Sequence, residues 1–375
     1  MKILILDAQN QNTLAIVRHL GKKGYFVNVA GSKSASLSFY SKYVVKKIIL
    51  PDPKKNGKSY IDALIKELSE NKYDVLMPVG FKSYQLCAES QNEIRKYTHL
   101  VVTSYSNIEL ASDKVLTYQL ARSLNVPCPV TYQIEAANNF EDKEIVFPVV
   151  IKAPFESGKN IVEYAYNPNQ AVEIFSKMKS SLNGVSPIVQ KYVSGDGYGF
   201  FAYYKDGKCI KYFMHHRIRE YPVTGGASVC AESFSDDKLK ETGMLLLDHL
   251  KWNGVAMVEF KKDNTDGKYY LMEINPKFWG SLELALCSGV DFPEYIIMEQ
   301  RGEVIPAINL YKEKVVFQWI LNGELFHFLE RPSSFLRIIK TMLISKKDFR
   351  WSDIKPNLFQ FVNIFVHYYK KITSR

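Results

Sequence analysis

The chain has 375 residues, 46% of them hydrophobic and 23% charged, enough apolar material for two or three cored domains. That composition excludes collagen-like, disulfide-scaffold and wholly disordered chains. The formal net charge of +10 is uneven, since residues 301–375 hold thirteen Lys/Arg against six Asp/Glu. No zinc-finger spacing, RNP motif or basic heptad region accompanies the excess, so nucleic acid is not an expected partner.

Met1 to Leu6 reads as a buried strand, broken by Asp7, Gln9, Asn10 and Gln11. Such a run is too short for the apolar region of a signal peptide, and no stretch approaches the about 18 apolar residues of a spanning helix. A cytoplasmic protein is expected. The five cysteines are scattered without a CxxC or a zinc-type Cys–His spacing, as befits reduced thiols. Asn12 to Leu20 reads as an amphipathic helix, Tyr25 to Ala30 as a strand, Tyr60 to Leu68 as a helix, and Val75 to Val79 and Leu100 to Thr103 as strands. Alternation of this kind predicts a parallel sheet. The first turn, Asp7-Ala-Gln-Asn-Gln-Asn12, has no glycine, which excludes an ordinary dinucleotide site.

Ser112 or Asp113 caps a helix that runs to about Asn125. An extended run, Phe147-Pro-Val-Val-Ile-Lys-Ala153, and a polar turn at 156–160 follow. A helix near Gln170 to Lys179, a strand from Ile188 to Val193 and strands over 200–204 and 208–215 complete a small α+β region. Lys152 in this apolar run, next to a polar glycine-containing loop, can contact phosphate oxygens, although a strand lysine is more often an edge residue. The sharpest pattern is Val255–Lys261, a turn at Asn264-Thr-Asp-Gly267, and Lys268–Asn275. A hairpin centred near Asp266 sets Glu259 opposite Glu273, with Asn275 on the same face. Two carboxylates and an amide are hard oxygen donors that suit Mg²⁺ or Mn²⁺. The alternative is an exposed hairpin face bearing surface acids.

Taken in order, Ser112-Asp-Lys114, Phe147-Pro-Val-Val-Ile-Lys152, the loop at 156–160, Gln190-Lys-Tyr-Val193, Val258-Glu259 and Met272-Glu-Ile-Asn-Pro276 resemble the ATP-grasp superfamily. His216-Arg-Ile-Arg-Glu220, Gly225-Gly-Ala-Ser228 and Pro276-Lys-Phe-Trp-Gly-Ser281 look like motifs of its carbamoyl-phosphate synthetase large subunit-like, carboxylate–amine ligase branch. The resemblance implies an α/β and α+β protein: an ATP-grasp domain at 112–300 with a lid subdomain at about 131–190, preceded by a parallel-sheet α/β domain at 1–111. A basic, aromatic helical extension would occupy 301–375.

The same resemblance implies ATP between two subdomains, with Lys114 and Lys152 on phosphates and Ser157, Gly158 and Lys159 closing over them. Gln190, Lys191, Tyr192 and Val193 would hold adenine, and Asp196 would reach the ribose. Glu259, Glu273 and Asn275 would hold Mg²⁺ or Mn²⁺, and Arg219 and Lys277 would act at the acyl phosphate or acceptor. Relatives often carry Glu where this chain has Gln190, and Arg where it has Lys277. The implied reaction joins a small-molecule carboxylate to an amine through an acyl phosphate, with ADP and phosphate released. Activation of bicarbonate, as in carbamoyl-phosphate synthetase, and ATP binding without turnover are the alternatives.

In the last seventy-five residues, Lys314 to Leu329 is apolar with few charges, Phe335 to Ile344 is basic and apolar, and Asn357 to Lys371 sets Phe359, Val362, Phe365, Val366 and Tyr369 at roughly helical spacing beside Lys370 and Lys371. Packing onto the core or a partner subunit is one expectation. Peripheral contact with an anionic membrane, at its inner face, is the other. A homo-oligomer is left open.

Overall fold

The computed structural model describes residues 1–136, 139–142, 144–155, 162–306 and 310–373. Strands β1 (Lys2–Ile5), β2 (Phe26–Gly31), β3 (Val44–Ile49), β4 (Val75–Met77) and β5 (His99–Leu100) form a sheet of order β3-β2-β1-β4-β5. Every pairing in it is parallel. Ile3, Leu4 and Ile5 are all fully buried, as expected of a central parallel strand covered on both faces. Helix Gln11–Lys22 packs Leu14, Val17 and Leu20 inward, and helix Gly57–Glu70 does the same with Tyr60, Leu64 and Leu68. Asp7 closes the far end of β1 with a positive φ of 65°. Its carboxylate accepts from the backbone N–H of Val79 and Gly80 and from the Ser83 hydroxyl, so the glycine-free turn anchors the chain that leads into helix Phe81–Glu89.

A second, four-stranded sheet holds β6 (Thr131–Tyr132), β7 (Val149–Lys152), β8 (Val162–Ala165) and β9 (Ile188–Lys191) in the order β6-β9-β7-β8, all antiparallel. Helix Pro168–Ser181 covers it with Ala171, Phe175 and Met178. The largest sheet comprises β10 (Gly197–Lys205), β11 (Lys208–Tyr221), β12 (Ala227–Ser233), β13 (Gly254–Lys262), β14 (Tyr269–Asn275), β15 (Val316–Gln318) and β16 (Lys346–Lys347). Their order is β14-β13-β10-β11-β12-β15-β16. The C-terminal segment is mainly helical and also adds β15 and β16 to this sheet, with β15 antiparallel to β12.

A shared apolar cluster joins the first sheet to the third: Ile3, Ile5 and Val29 pack with Phe201, Phe213, Trp279 and Phe292. Beyond it, a buried polar seam ties helix Gln11–Lys22 to the C-terminal segment through Arg18 and Asp353, 2.9 Å apart.

Candidate active site

Between the four-stranded and seven-stranded sheets lies a cavity of about 530 Å³. Its floor is the β13–β14 hairpin. The turn at 263–267 closes on Gly267, whose φ of 69° suits glycine, and whose N–H bonds the Asp263 carbonyl. The register places Glu259 directly opposite Glu273 and Met257 opposite Asn275. Glu273 and Asn275, two apart on one strand, share a face, and the Asn275 amide donates to the Glu273 carboxylate at 2.7 Å.

Cations surround the pair. Lys114 follows Asp113, whose carboxylate caps the helix Lys114–Ser123 by accepting from Val115 and Leu116. Lys152, on β7, is buried and donates to the Tyr118 hydroxyl at 2.7 Å; that hydroxyl in turn donates to the Met272 carbonyl. Lys277 lies 3.5 Å from the Asn275 carboxamide oxygen. Arg217, on β11, grips Glu259 at 2.6 Å. With Lys191 and Lys261, six cations among the described residues line the cavity against three carboxylates, Glu220, Glu259 and Glu273. A wall with that excess is matched to a polyanion.

The titration of these groups follows from the same geometry. Burial pulls the Lys152 ammonium down to about 8, a drop that Glu273 and Glu259 partly offset. For Glu273 burial pushes upward, but Lys114, the Asn275 hydrogen bond, Lys277 and Lys152 outweigh it and hold the carboxyl below its usual range. Glu259 is raised by burial, against the opposing pull of Arg217, and further by the charge of Glu273. Two facing carboxylates thus differ in acidity because one has lysines around it and the other one arginine.

Several of the expected residues converge here. Lys114, Lys152, Gln190, Lys191, Tyr192, Val193, Glu259, Glu273, Asn275 and Lys277 all line the cavity. The Gln190 side chain is nevertheless committed to the sheet, its amide donating to Thr131 at 2.9 Å, so the hinge offers mainly backbone and the neighbouring side chains. Ser157, Gly158 and Lys159 lie outside the described residues. Asp196 does not line the cavity; its carboxylate is exposed and pairs with His216 at 3.0 Å.

Arg219 is a correction. It is buried on the other face of β11, where Nε donates to Glu324 at 2.5 Å and Nη2 to Thr341 at 2.7 Å. A β-bulge causes this: β11 shifts register against β12 between Arg217 and Arg219 and again between Arg219 and Glu220. The extra residue reverses the alternation, so Arg217 and Glu220 face the cavity and Arg219 does not. Sequence reasoning also passed over Lys261 and Tyr118, both of which carried a signal. Lys261 sits two residues from Glu259 on the same strand face, and Tyr118 one helical turn from Lys114. Asn322, which reaches the cavity from the C-terminal segment, carried none. The loop at 224–226 lines the opposite wall. A side chain on Gly225 would strike the Tyr164 hydroxyl of β8 at 2.5 Å, and one on Gly226 the Tyr221 carbonyl at 2.1 Å.

Two sheets facing each other across a cationic cleft with an acidic hairpin floor define a cleft protein of mixed α/β architecture. Comparison with known proteins specifies the class. Residues 212–322 match the family described as ATP-grasp in the biosynthetic pathway with Ter operon. The carbamoyl phosphate synthase large chain of Thermoplasma acidophilum is 22% identical over 290 residues, 71% of this chain but only 26% of that protein. This chain therefore spans about a quarter of the length of that relative. Among solved structures, a biotin carboxylase–β,γ-ATP complex from Campylobacter jejuni superposes with a TM-score of 0.66 at 18% identity, covering 84% of this chain and 74% of that one. An L-amino acid ligase from Bacillus licheniformis does so with a TM-score of 0.63 at 15% identity, covering 80% and 74%. The chain has the ATP-grasp fold of these structures, and its sequence is similar to an ATP-grasp family over residues 212–322 and to a carbamoyl phosphate synthase large chain over 290 residues.

Proposed function

We propose that this chain is an ATP-dependent carboxylate–amine ligase. The observation that carries the reading is the Glu259–Glu273 pair with Asn275 at the floor of a cavity whose wall holds twice as many cations as carboxylates. An ATP-grasp fold supplies the nucleotide; the cavity supplies charges for its phosphates. Lys114 and Lys152 bind phosphate oxygens, and Tyr192 and Val193 border the base. A substrate carboxylate oxygen bonds to the γ-phosphorus as the bond to ADP breaks. An amine nitrogen then bonds to the acyl carbon, and phosphate leaves with the bonding electrons while the amine gives up its proton. The residues position the partners and neutralise charge; no protein nucleophile is needed. Arg217 and Lys277, beside the carboxylate pair, face the transferring group.

The donor set fits a hard divalent ion. Among the described residues no group of three or more His, Cys, Asp or Glu side chains could hold a metal. Two carboxylates and an amide therefore match an ion that completes its shell with water and phosphate oxygens, as Mg²⁺ does. Glu259, Glu273 and Asn275 would hold it. When bound, such an ion neutralises developing charge on the phosphates.

The organisation we propose keeps a boundary near 111, supported by a first sheet that lies within residues 1–111, and a lid at about 131–190 built on the four-stranded sheet; the boundary expected near 300 is dropped, because β15 and β16 extend the seven-stranded sheet. The test is a screen of carboxylate and amine pairs for stimulated ADP release, with mass spectrometry of the products. A ligase gives a new amide that requires both substrates. ADP release stimulated by bicarbonate alone would replace this reading with carbamoyl-phosphate-type chemistry, and tight ATP binding without release under every pair would replace it with a binding module.

A further inference from the structure

The C-terminal segment presents a surface that the cavity does not use. Helix Phe335–Ile344 buries only Ile338. Leu336, Leu343 and Ile344 are 71%, 82% and 72% exposed, and Trp351, just beyond β16, is 83% exposed. Leu336, Ile339 and Leu343 recur at helical spacing along one face, with Arg337 and Lys340 set among them. The inner side is anchored: the Thr341 hydroxyl accepts from Arg219 and Gln318, and Ser345 donates to Gln318 at 2.7 Å. The apolar face is thus held outward by the sheet beneath it.

The charges around it are mainly positive, with Glu330 the exposed acid just before Arg331. From Arg331 to Lys355 the only acids are Asp348 and Asp353, and both are turned inward. Asp348 accepts from the backbone of Ile320 and Leu321, and Asp353 pairs with Arg18. Arg331, Arg337, Lys340, Lys346 and Lys355 remain exposed. Helix Ile354–Thr373 repeats the theme, with Leu358, Phe361, Val362 and Val366 exposed and no acid along its length.

We propose that this face docks the chain on an anionic lipid surface, with helix Phe335–Ile344 lying in the plane of the head groups. Its ten residues are too few to span a bilayer, and among the described residues no helix is long and apolar enough to cross one. The combination discriminates between occupants. The cores of protein interfaces are depleted in lysine, whereas interfacial helices carry Lys and Arg beside an apolar face. A surface whose exposed charges from Arg331 to Lys355 are all positive is complementary to anionic head groups.

The test uses the full chain, because β15, β16 and Asp353 make truncation a folding experiment rather than a docking one. The wild-type protein and two double variants, Arg337→Glu/Lys340→Glu and Leu336→Gln/Leu343→Gln, are sedimented with vesicles of phosphatidylcholine alone or mixed with phosphatidylglycerol. All four substituted side chains are exposed, so near-ultraviolet circular dichroism and melting temperature should match the wild type. The wild-type protein is expected to pellet with the anionic vesicles only, and to be released by about 0.5 M salt. Charge reversal should weaken binding about tenfold or more, and loss of the two leucines should weaken it even at low salt. Failure of the wild-type chain to pellet at low salt overturns the proposal, as does binding that neither pair of substitutions alters. A concentration-dependent dimer in sedimentation velocity, abolished by Leu336→Gln/Leu343→Gln and accompanied by no vesicle binding, overturns it in favour of self-association.

Discussion

Beneath the C-terminal segment, Arg18 directs each of its guanidinium nitrogens to a partner: Nε to the Asp353 carboxylate, Nη1 to the Asp348 carbonyl, and Nη2 to the Asp353 carbonyl and Asn357. Asp353 takes two further bonds, from Ser41 and the backbone of Lys42. In the cavity, by contrast, Glu259 and Glu273 face each other, and lysines outnumber the carboxylates they could pair with. Buried charge that is matched one to one fixes a seam. Charge left in excess of one sign in a cleft, around a repelling acidic pair, costs stability and is retained where a ligand of opposite charge is bound. Substitutions in the two regions should therefore separate folding from turnover.

The seam should respond most. Arg18→Ala removes the cation and leaves the buried Asp353 carboxylate uncompensated, a loss of about 3–5 kcal/mol of stability. Activity per folded molecule should be preserved. Urea unfolding alongside turnover checks this; a variant as stable as the wild type would mean that the C-terminal segment does not depend on this contact.

Glu273→Gln should do the reverse. It removes a charge that Lys114, Lys277 and Lys152 favour in the folded state, but the new side-chain oxygen can still accept from Asn275, so stability should fall only slightly. Turnover should fall about 100-fold or more, the scale seen when one electrostatic stabiliser of a transition state is removed. ADP release close to the wild-type rate would break the contrast, because the acidic pair would then be no more functional than Asp353.

Arg217 and Arg219 offer the same contrast within one strand. Arg217→Ala should lower turnover about tenfold or more, since it frees Glu259 from its counter-ion at the cavity floor. Arg219→Ala should chiefly cost stability, roughly 2 kcal/mol. The cost is moderated because burial already pushes the Glu324 carboxyl upward, so it can take up a proton once its partner is gone. Equal effects of the two substitutions on turnover would show that the bulge does not sort them.

That bulge marks a limit of what sequence reveals. Turn chemistry made the Glu259–Glu273 pairing legible to within one residue before any coordinates, because a hairpin with a short turn has few ways to pair; a register shift between Glu259 and Phe260 then sets the two carboxylates opposite each other. The capping Asp113 and the parallel β1–β2 and β1–β4 pairs were legible for similarly local reasons. Arg219 was misplaced because one added residue in β11 reverses inside and outside, and Ile218 carries no mark of it. β3, Val-Val-Lys-Lys-Ile-Ile, escaped because its doublets break the period of two. The Arg18–Asp353 pair joins residues 335 apart in sequence, and β15 is only three residues long. Contacts of that kind arise from packing, which no local pattern encodes.

The smallest effect should come from titrating Lys152, and its sign is informative. Burial draws its ammonium down to about 8, well below the about 10.4 of a free lysine. Between those values the unfolded chain holds more protons than the folded one, so this residue makes stability increase as pH rises through that window. Phosphate binding needs the charged form, so nucleotide affinity should move in the opposite direction, falling by up to about tenfold per unit once pH exceeds about 8. Lys152→Met should reduce ATP affinity about tenfold at neutral pH, the worth of one charge-assisted hydrogen bond, and should flatten both slopes. Lys261, also drawn down by burial, stays in place in that variant, so the difference between the wild-type and Lys152→Met profiles isolates Lys152. Calorimetric titration of ATP across pH 7 to 9, paired with melting curves over the same range, reads both signs. Affinity and stability that rise or fall together would mean that Lys152 is held by its neighbours as a structural cation and has no part in the phosphate site.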